Sequence, residues 1–238
     1  MRTVMGRHVV QPGANARDRI SQLPAEILDH IMGLLPIRQA AKVAVLSKVW
    51  RDVWSSLTLL CFDHGFFHVA GKKSSKEARK DKNKRSRFHV ITQILLQHKG
   101  SIRKFVCFHA LAMTEIVRFS SLEVDEWLVL VTRKGVEEIH LHFGCNKYKL
   151  PGYVFSCTTL KTLHLNGFSI DPQNSPHTLP NATSLRFDYA DFGTYGGSFR
   201  LRCPCSEAGE HVVFLVSGYV SLWHYCKKSY QFDTLWLF

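Results

Sequence analysis

The chain has 238 residues, 45% hydrophobic and 12% aromatic, with a formal net charge of +12. That length can bury a core as one domain or two small ones, and the apolar content excludes general disorder. Seven cysteines (61, 107, 145, 157, 203, 205, 226) follow no regular spacing, and the N-terminus lacks the apolar stretch of roughly 7–15 residues that marks a secretory leader. The longest apolar run, 212–223, is too short to cross a bilayer. The expectation is a nuclear or cytoplasmic protein with reduced thiols and no membrane span.

Residues 1–17 contain Gly6, Pro12 and Gly13 without periodicity and read as a flexible N-terminal segment. Residues 18–57 read as three short helices. The first opens at Pro24, where the missing N–H costs nothing. Its residues Ile27, Leu28, Ile31, Leu34 and Leu35 lie within an arc of roughly 120°, opposite Glu26, Asp29 and His30. Pro36 ends that helix and opens the second, 37–46, with Ile37, Ala40, Ala41, Ala44 and Val45 on one face and Val43 and Leu46 nearly opposite. Ser47 is placed to cap a third helix, which aligns Val49, Trp50, Val53, Trp54 and Leu57. A unit of about 40 residues is near the limit for folding alone, and this one carries more apolar surface than one small interface hides. It therefore docks on the rest of the chain or on a partner.

The segment 72–87, KKSSKEARKDKNKRSR, holds nine basic and two acidic residues, so +7 of the chain's +12 sits in one block. Such a block predicts a solvated basic linker or loop over 70–87, with nuclear import or nucleic-acid contact as alternatives. A specific nucleic-acid reader would interleave aromatics, and none occurs in it.

From residue 88 the pattern changes. FHVITQILLQHKG reads as a helix, IRKFVCF as a strand, and DEWLVLVTRK, around Trp127, as a second helical patch. Then VEEIHL (136–141), LKTLHL (160–165) and ATSLRF (182–187) repeat an apolar residue at positions 1, 4 and 6. Their centres Ile139, Leu163 and Leu185 are 24 and 22 residues apart, and IRKFVC (102–107) fits the same mould 34 residues before Ile139. That spacing and pattern are those of a leucine-rich repeat.

Catalytic signatures are missing: no GxGxxG, no phosphate-cradling Gly-Lys-Ser/Thr loop, no HExxH and no GxSxG occurs. Cys203, Cys205, His211, His224 and Cys226 are spaced like no familiar zinc site, and the expectation is no metal and no cofactor. His140, His142 and His164 alternate with apolar residues on expected strands, as partly exposed side chains would.

Residues 18–57 closely resemble the F-box of plant F-box/leucine-rich-repeat (F-box/FBD/LRR-like) proteins. The matching positions are Asp18-Arg19-Ile20-Ser21, Leu23-Pro24, Glu26-Ile27-Leu28, Leu34-Leu35-Pro36, Ala40, Val45-Leu46-Ser47-Lys48, Trp50-Arg51 and Trp54. The repeat segments extend the resemblance to residue 192, and the aromatic-rich remainder matches no repeat. The resemblance implies an α+β fold: an N-terminal three-helix F-box at 18–60, then a short leucine-rich-repeat α/β solenoid at 88–192, truncated at the C-terminus by an atypical tail at 193–238. It implies a non-catalytic substrate-recognition adaptor of an SCF-type E3 ubiquitin ligase, joined through a Skp-type adaptor to cullin and RING subunits and presenting a protein substrate. The adaptor contact carries onto Leu23, Pro24, Ile27, Leu28, Ile31, Leu34, Pro36, Leu46, Val49, Trp50 and Trp54. A nucleic-acid-binding protein using 72–87 and a truncated, non-functional F-box product are the alternatives.

Overall fold

The computed structural model describes residues 19–67, 77–108, 121–143, 148–171, 179–191, 199–201, 211–213 and 220–225. Three helices come first: α1 (Ala25–Gly33), α2 (Ile37–Val43) and α3 (Lys48–Ser55). Pro24 and Pro36 perform the same task twice. Each precedes its helix in extended conformation, and its carbonyl accepts the first helical amides: Ile27 and Leu28 at 3.0 and 3.1 Å, Gln39 and Ala40 at 2.7 and 3.1 Å. Pro24 is thus the cap of α1, one residue outside it. α2 stops at Val43, and tight turns (Val45 N–H to Lys42 O, Leu46 N–H to Val43 O) carry Val45 and Leu46 out of the helical face expected of them. Ser47 caps α3 as expected, its Oγ accepting from Trp50 N at 3.3 Å.

After β1 (Leu59–Phe62) and the short α4 (His64–Phe67) comes α5 (Glu77–Gln97), then β2 (Lys104–Phe108), α6 (Ser121–Arg133) and β3 (Glu138–His142). β4 (Tyr148–Lys149), a 3-10 turn (Gly152–Ser156), β5 (Thr162–Asn166), β6 (Phe168–Ser169) and β7 (Ser184–Ala190) follow; β8 (Phe199–Leu201), β9 (His211–Val213) and β10 (Val220–Tyr225) complete the order. The basic run is therefore not a loop throughout. From Glu77 onward it is the first half of α5, because Glu, Ala, Arg and Lys are good helix formers and a helix spaces like charges along its surface. The helical reading of 88–97 holds, and the helix around Trp127 is α6.

The main sheet runs β1-β2-β3-β5-β7-β10, parallel from β1 to β7 and antiparallel at β10; β4 pairs with β6 and β8 with β9. Its register stacks Leu60, Phe105, Ile139, Leu163 and Leu185 in one row and Phe62, Cys107, Leu141, Leu165 and Phe187 in the next. All ten are buried, so the apolar positions 4 and 6 of the repeated pattern are one wall of a continuous core. Position 1 (Ile102, Val136, Leu160, Ala182) is buried too, and LTLLCF, 57–62, is an earlier copy that the sequence reading passed over. Gly135, at φ +75, ends α6: Val136 N–H reaches back to Val131 O and Gly135 N–H to Thr132 O, which turns the chain into β3.

The connections differ from step to step: α5, then α6, then the 3-10 turn, then β6. The described residues therefore form a mixed helix–strand fold with N-terminal helices, without the uniform turns expected of a solenoid. Phe88, Ile91, Leu95, Val124, Trp127, Leu128 and Val131 of α5 and α6 share the core with the strands. Phe88 stacks on Trp127 at 5.5 Å, and the Trp127 indole N–H donates to Thr92 Oγ1 at 2.8 Å, satisfying both buried polar groups. Among the described residues, no helix is long and apolar enough to cross a membrane.

The helical unit is welded to the sheet. Asp29 of α1, expected on the solvent side, accepts from Thr58 N–H at 2.9 Å and Thr58 Oγ1 at 2.6 Å just before β1. Lys99 N–H donates to Ser55 O at 2.7 Å, and a Cβ on Gly100 would stand 3.0–3.1 Å from Ser56. The His98 ring, 5% exposed, lies between Leu57 O (2.9 Å from Nε2) and Gly100 O (3.1 Å from Nδ1).

Two substitutions test this register. Leu163→Ala is expected to lower unfolding stability by about 3 kcal/mol through a central cavity, whereas Lys161→Ala, which removes only the exposed pair with Glu137, changes it by under about 1 kcal/mol. Urea unfolding of both variants checks the contrast.

Candidate functional site

The apolar side chains of α1, α2 and their flanking turns divide into two sets. Leu28, Met32, Ile37 and Ala40 are buried and continuous with the sheet core, and Ala44 is buried beside them. Leu23, Ile27, Leu34 and Leu46 face solvent, the last two at 72% and 76% exposure, and Pro24 and Pro36 are exposed beside them. Ile31 is half-buried, and Val49, Trp50 and Trp54 are half-buried against the core. Of the eleven residues singled out by sequence, six are therefore exposed, Leu28 belongs to the core, Val49, Trp50 and Trp54 pack against it, and Ile31 is half-buried.

Three open positions were missed as site residues: Ile20 at 55% exposure, Leu35, and Val45 at 75%. Met32, wholly buried, was missed as the anchor of α1. Helical periodicity alone cannot separate the sets, because it gives the width of the stripe and not which edge the sheet covers. Among the described residues, seven of the twelve exposed large hydrophobics fall within 20–46, which concentrates exposed apolar surface on this unit rather than on the sheet. Burying one such side chain on a partner contributes roughly 1.5–3 kcal/mol.

The other face of the sheet is polar across β3, β5 and β7 and largely self-satisfied. Lys104 pairs with Glu138 at 2.7 Å, and Asp188 Oδ2 accepts from Arg186 Nε at 2.7 Å and lies 3.0 Å from His164 Nε2. The His140 ring meets that of His164 edge-on at 5.6 Å, and its buried Nε2 has no hydrogen-bond partner. Burial first, then Lys104 and His164, push His140 from 6.5 down to about 4, against the upward pull of Glu138. Neither Cys61 nor Cys107 is an activated nucleophile: burial raises Cys107 and, with Asp63, raises Cys61. Among the described residues no group of three or more His, Cys, Asp or Glu could hold a metal ion. Of the weighed zinc constellation, Cys203, Cys205 and Cys226 lie outside the described residues.

Comparison with known proteins bears on the same segment. Residues 20–62 match the F-box domain. An F-box/FBD/LRR-repeat protein of Arabidopsis thaliana is 32% identical over 155 residues, 65% of this chain and 34% of the relative. Two F-box/LRR-repeat proteins of the same plant are 31% and 27% identical over 219 and 221 residues, 90% and 91% of this chain but 39% and 54% of the relatives. The chain thus spans from about a third to about half of the length of these relatives.

Two measurements follow from the site's geometry. Asp29→Ala strands the amide and hydroxyl of Thr58 and is expected to cost about 2 kcal/mol of unfolding stability, read by denaturant titration. His140 is neutral in the fold where the unfolded chain still binds a proton. The stability this gives is complete above about pH 6.5 and is lost as pH falls through about 4. Unfolding measured across that window should show stability falling with acid, and His140→Gln should flatten part of the slope; His98 and His142, also held down by burial, keep the remainder.

Proposed function

From an F-box domain at residues 20–62 and homology to plant F-box/LRR-repeat proteins, we propose that this chain is a substrate-recognition adaptor of an SCF-type ubiquitin ligase, acting in the nucleus or cytoplasm. The helical unit docks on a Skp-type adaptor, which joins it to cullin and RING subunits. The parallel strands that follow begin a leucine-rich-repeat receptor surface that presents a protein substrate, and the ubiquitin-transfer chemistry lies in other subunits. The observation that carries this reading is the concentration of exposed apolar side chains on the F-box.

The docking face comprises Leu23, Pro24, Ile27, Leu34, Pro36 and Leu46, joined by Ile20, Leu35 and Val45. Leu28 holds α1 on the core. Ile31, Val49, Trp50 and Trp54 back the face from beneath. The repeat reading is supported by the in-register stacking of Ile139, Leu163 and Leu185 in adjacent parallel strands.

The test is capture of a recombinant Skp-type adaptor by the full chain. The double variant Leu34→Asp with Leu46→Asp is expected to lose affinity by about a hundredfold or more while its thermal melting stays unchanged, since both side chains are already in solvent. Lys48→Ala should bind as wild type. Failure of the wild-type chain to capture the adaptor, or capture undiminished in the double variant, would overturn the proposal.

A further inference from the structure

A second surface, free of the exposed apolar residues assigned above, lies where the F-box meets α5. α2, α3, α4 and α5 enclose an open groove of about 470 Å³. Trp54, Phe66, Val90 and Ile94 give it apolar walls, and Arg38 and Lys42 project from α2 beside them. Val90 is 41% exposed, so one wall is left in water.

The cations are placed rather than scattered. Arg38 Nη2 donates to Phe66 O at 2.8 Å, and its guanidinium lies 5.5 Å from the centroid of the Phe66 ring. That leaves it four further N–H donors in a fixed plane. Among the described residues no carboxylate pairs with Arg38 or Lys42. A guanidinium and an ammonium on one wall of the groove, with no carboxylate paired to either among the described residues, favour an anion arriving from outside.

The long-range field points the same way. The +7 block of residues 72–87 runs into α5, the helix whose Val90 and Ile94 wall the groove. The strongest concentration of positive charge in the sequence therefore adjoins, along the chain, the residues of this wall, and would draw in a negatively charged partner.

We propose that this groove binds an acidic peptide segment of a protein partner, one apolar side chain entering between Trp54, Phe66, Val90 and Ile94 while flanking carboxylates meet Arg38 and Lys42. The volume suits one large side chain with its neighbours. The basic run then has a function that neither a linker nor a nucleic-acid patch provides: it hastens encounter, and the groove supplies the selectivity.

The probe is a short fluorescein-labelled peptide of glutamates around one central phenylalanine, with a serine-for-phenylalanine and a lysine-for-glutamate counterpart. Fluorescence polarisation on the full chain at about 0.05 and 0.5 M salt reads the binding. The phenylalanine peptide is expected to bind, more weakly at high salt; the serine peptide should bind about tenfold more weakly and the lysine peptide not at all. Lys42→Glu should weaken binding about fivefold and the milder Lys42→Gln somewhat less, both with unchanged melting because Lys42 is exposed. Ala41→Trp, which fills the groove, should abolish the preference for phenylalanine over serine. Equal binding of the serine and phenylalanine peptides, or Lys42→Glu binding as wild type, overturns the proposal. Capture of the Skp-type adaptor by the same variants, measured in parallel, is independent of it and reports on the docking face alone.

Discussion

Each parallel strand after the first starts from one backbone carbonyl of its predecessor. Thr58 O accepts the amides of Arg103 and Lys104, Arg103 O those of Glu137 and Glu138, Glu137 O those of Lys161 and Thr162, and Lys161 O those of Thr183 and Ser184. Four repetitions of one double acceptance fix where every strand begins, and the side-chain period of two fixes the rest. A slip of one residue would drive His140 and His164 into the core and turn Ile139 and Leu163 out to water. The same register aligns Lys104 with Glu138 and His164 with Arg186, so the charged face is set by the constraint that sets the apolar one.

The N-terminal helices depend on that sheet. Their core residues Leu28, Met32, Ile37 and Val53 join the cluster that runs through Leu60 and Phe105 to Phe187. Asp29 hydrogen-bonds to Thr58 just before the first strand, and Ser55 and Leu57 to the turn before the second. A helical trio too small to fold securely by itself thereby gains a foundation, and it can leave the opposite side of its stripe bare. Exposed leucines that would compromise an isolated bundle become affordable on a unit anchored from behind, which reconciles the two readings of this surface: the helices dock on their own chain and also present an unfilled face.

Much of this was legible in the sequence. Ser47 announced its cap, the two prolines announced two helix starts, and the apolar positions 1, 4 and 6 around Ile139, Leu163 and Leu185 announced strands that stack. What was not legible depended on the third dimension. Periodicity could not tell Leu28 from Ile27, its neighbour about 100° round the helix, because only the position of the sheet decides which is covered. Asp29 looked like a solvent residue until its partner, twenty-nine positions away, was known. LTLLCF was overlooked because the irregular spacing to the next copy hid the match, and the basic run was read by its charge when its helix-forming residues decided its conformation.

The most direct test of an anchored helical unit with one open face is amide hydrogen exchange on the full chain, alone and with a recombinant Skp-type adaptor. The expected result is new protection confined to residues 23–46, with β2, β3, β5 and β7 already slow and unchanged by the adaptor. Protection appearing in the strands while the helices stay unaffected, in a complex that demonstrably forms, would contradict it.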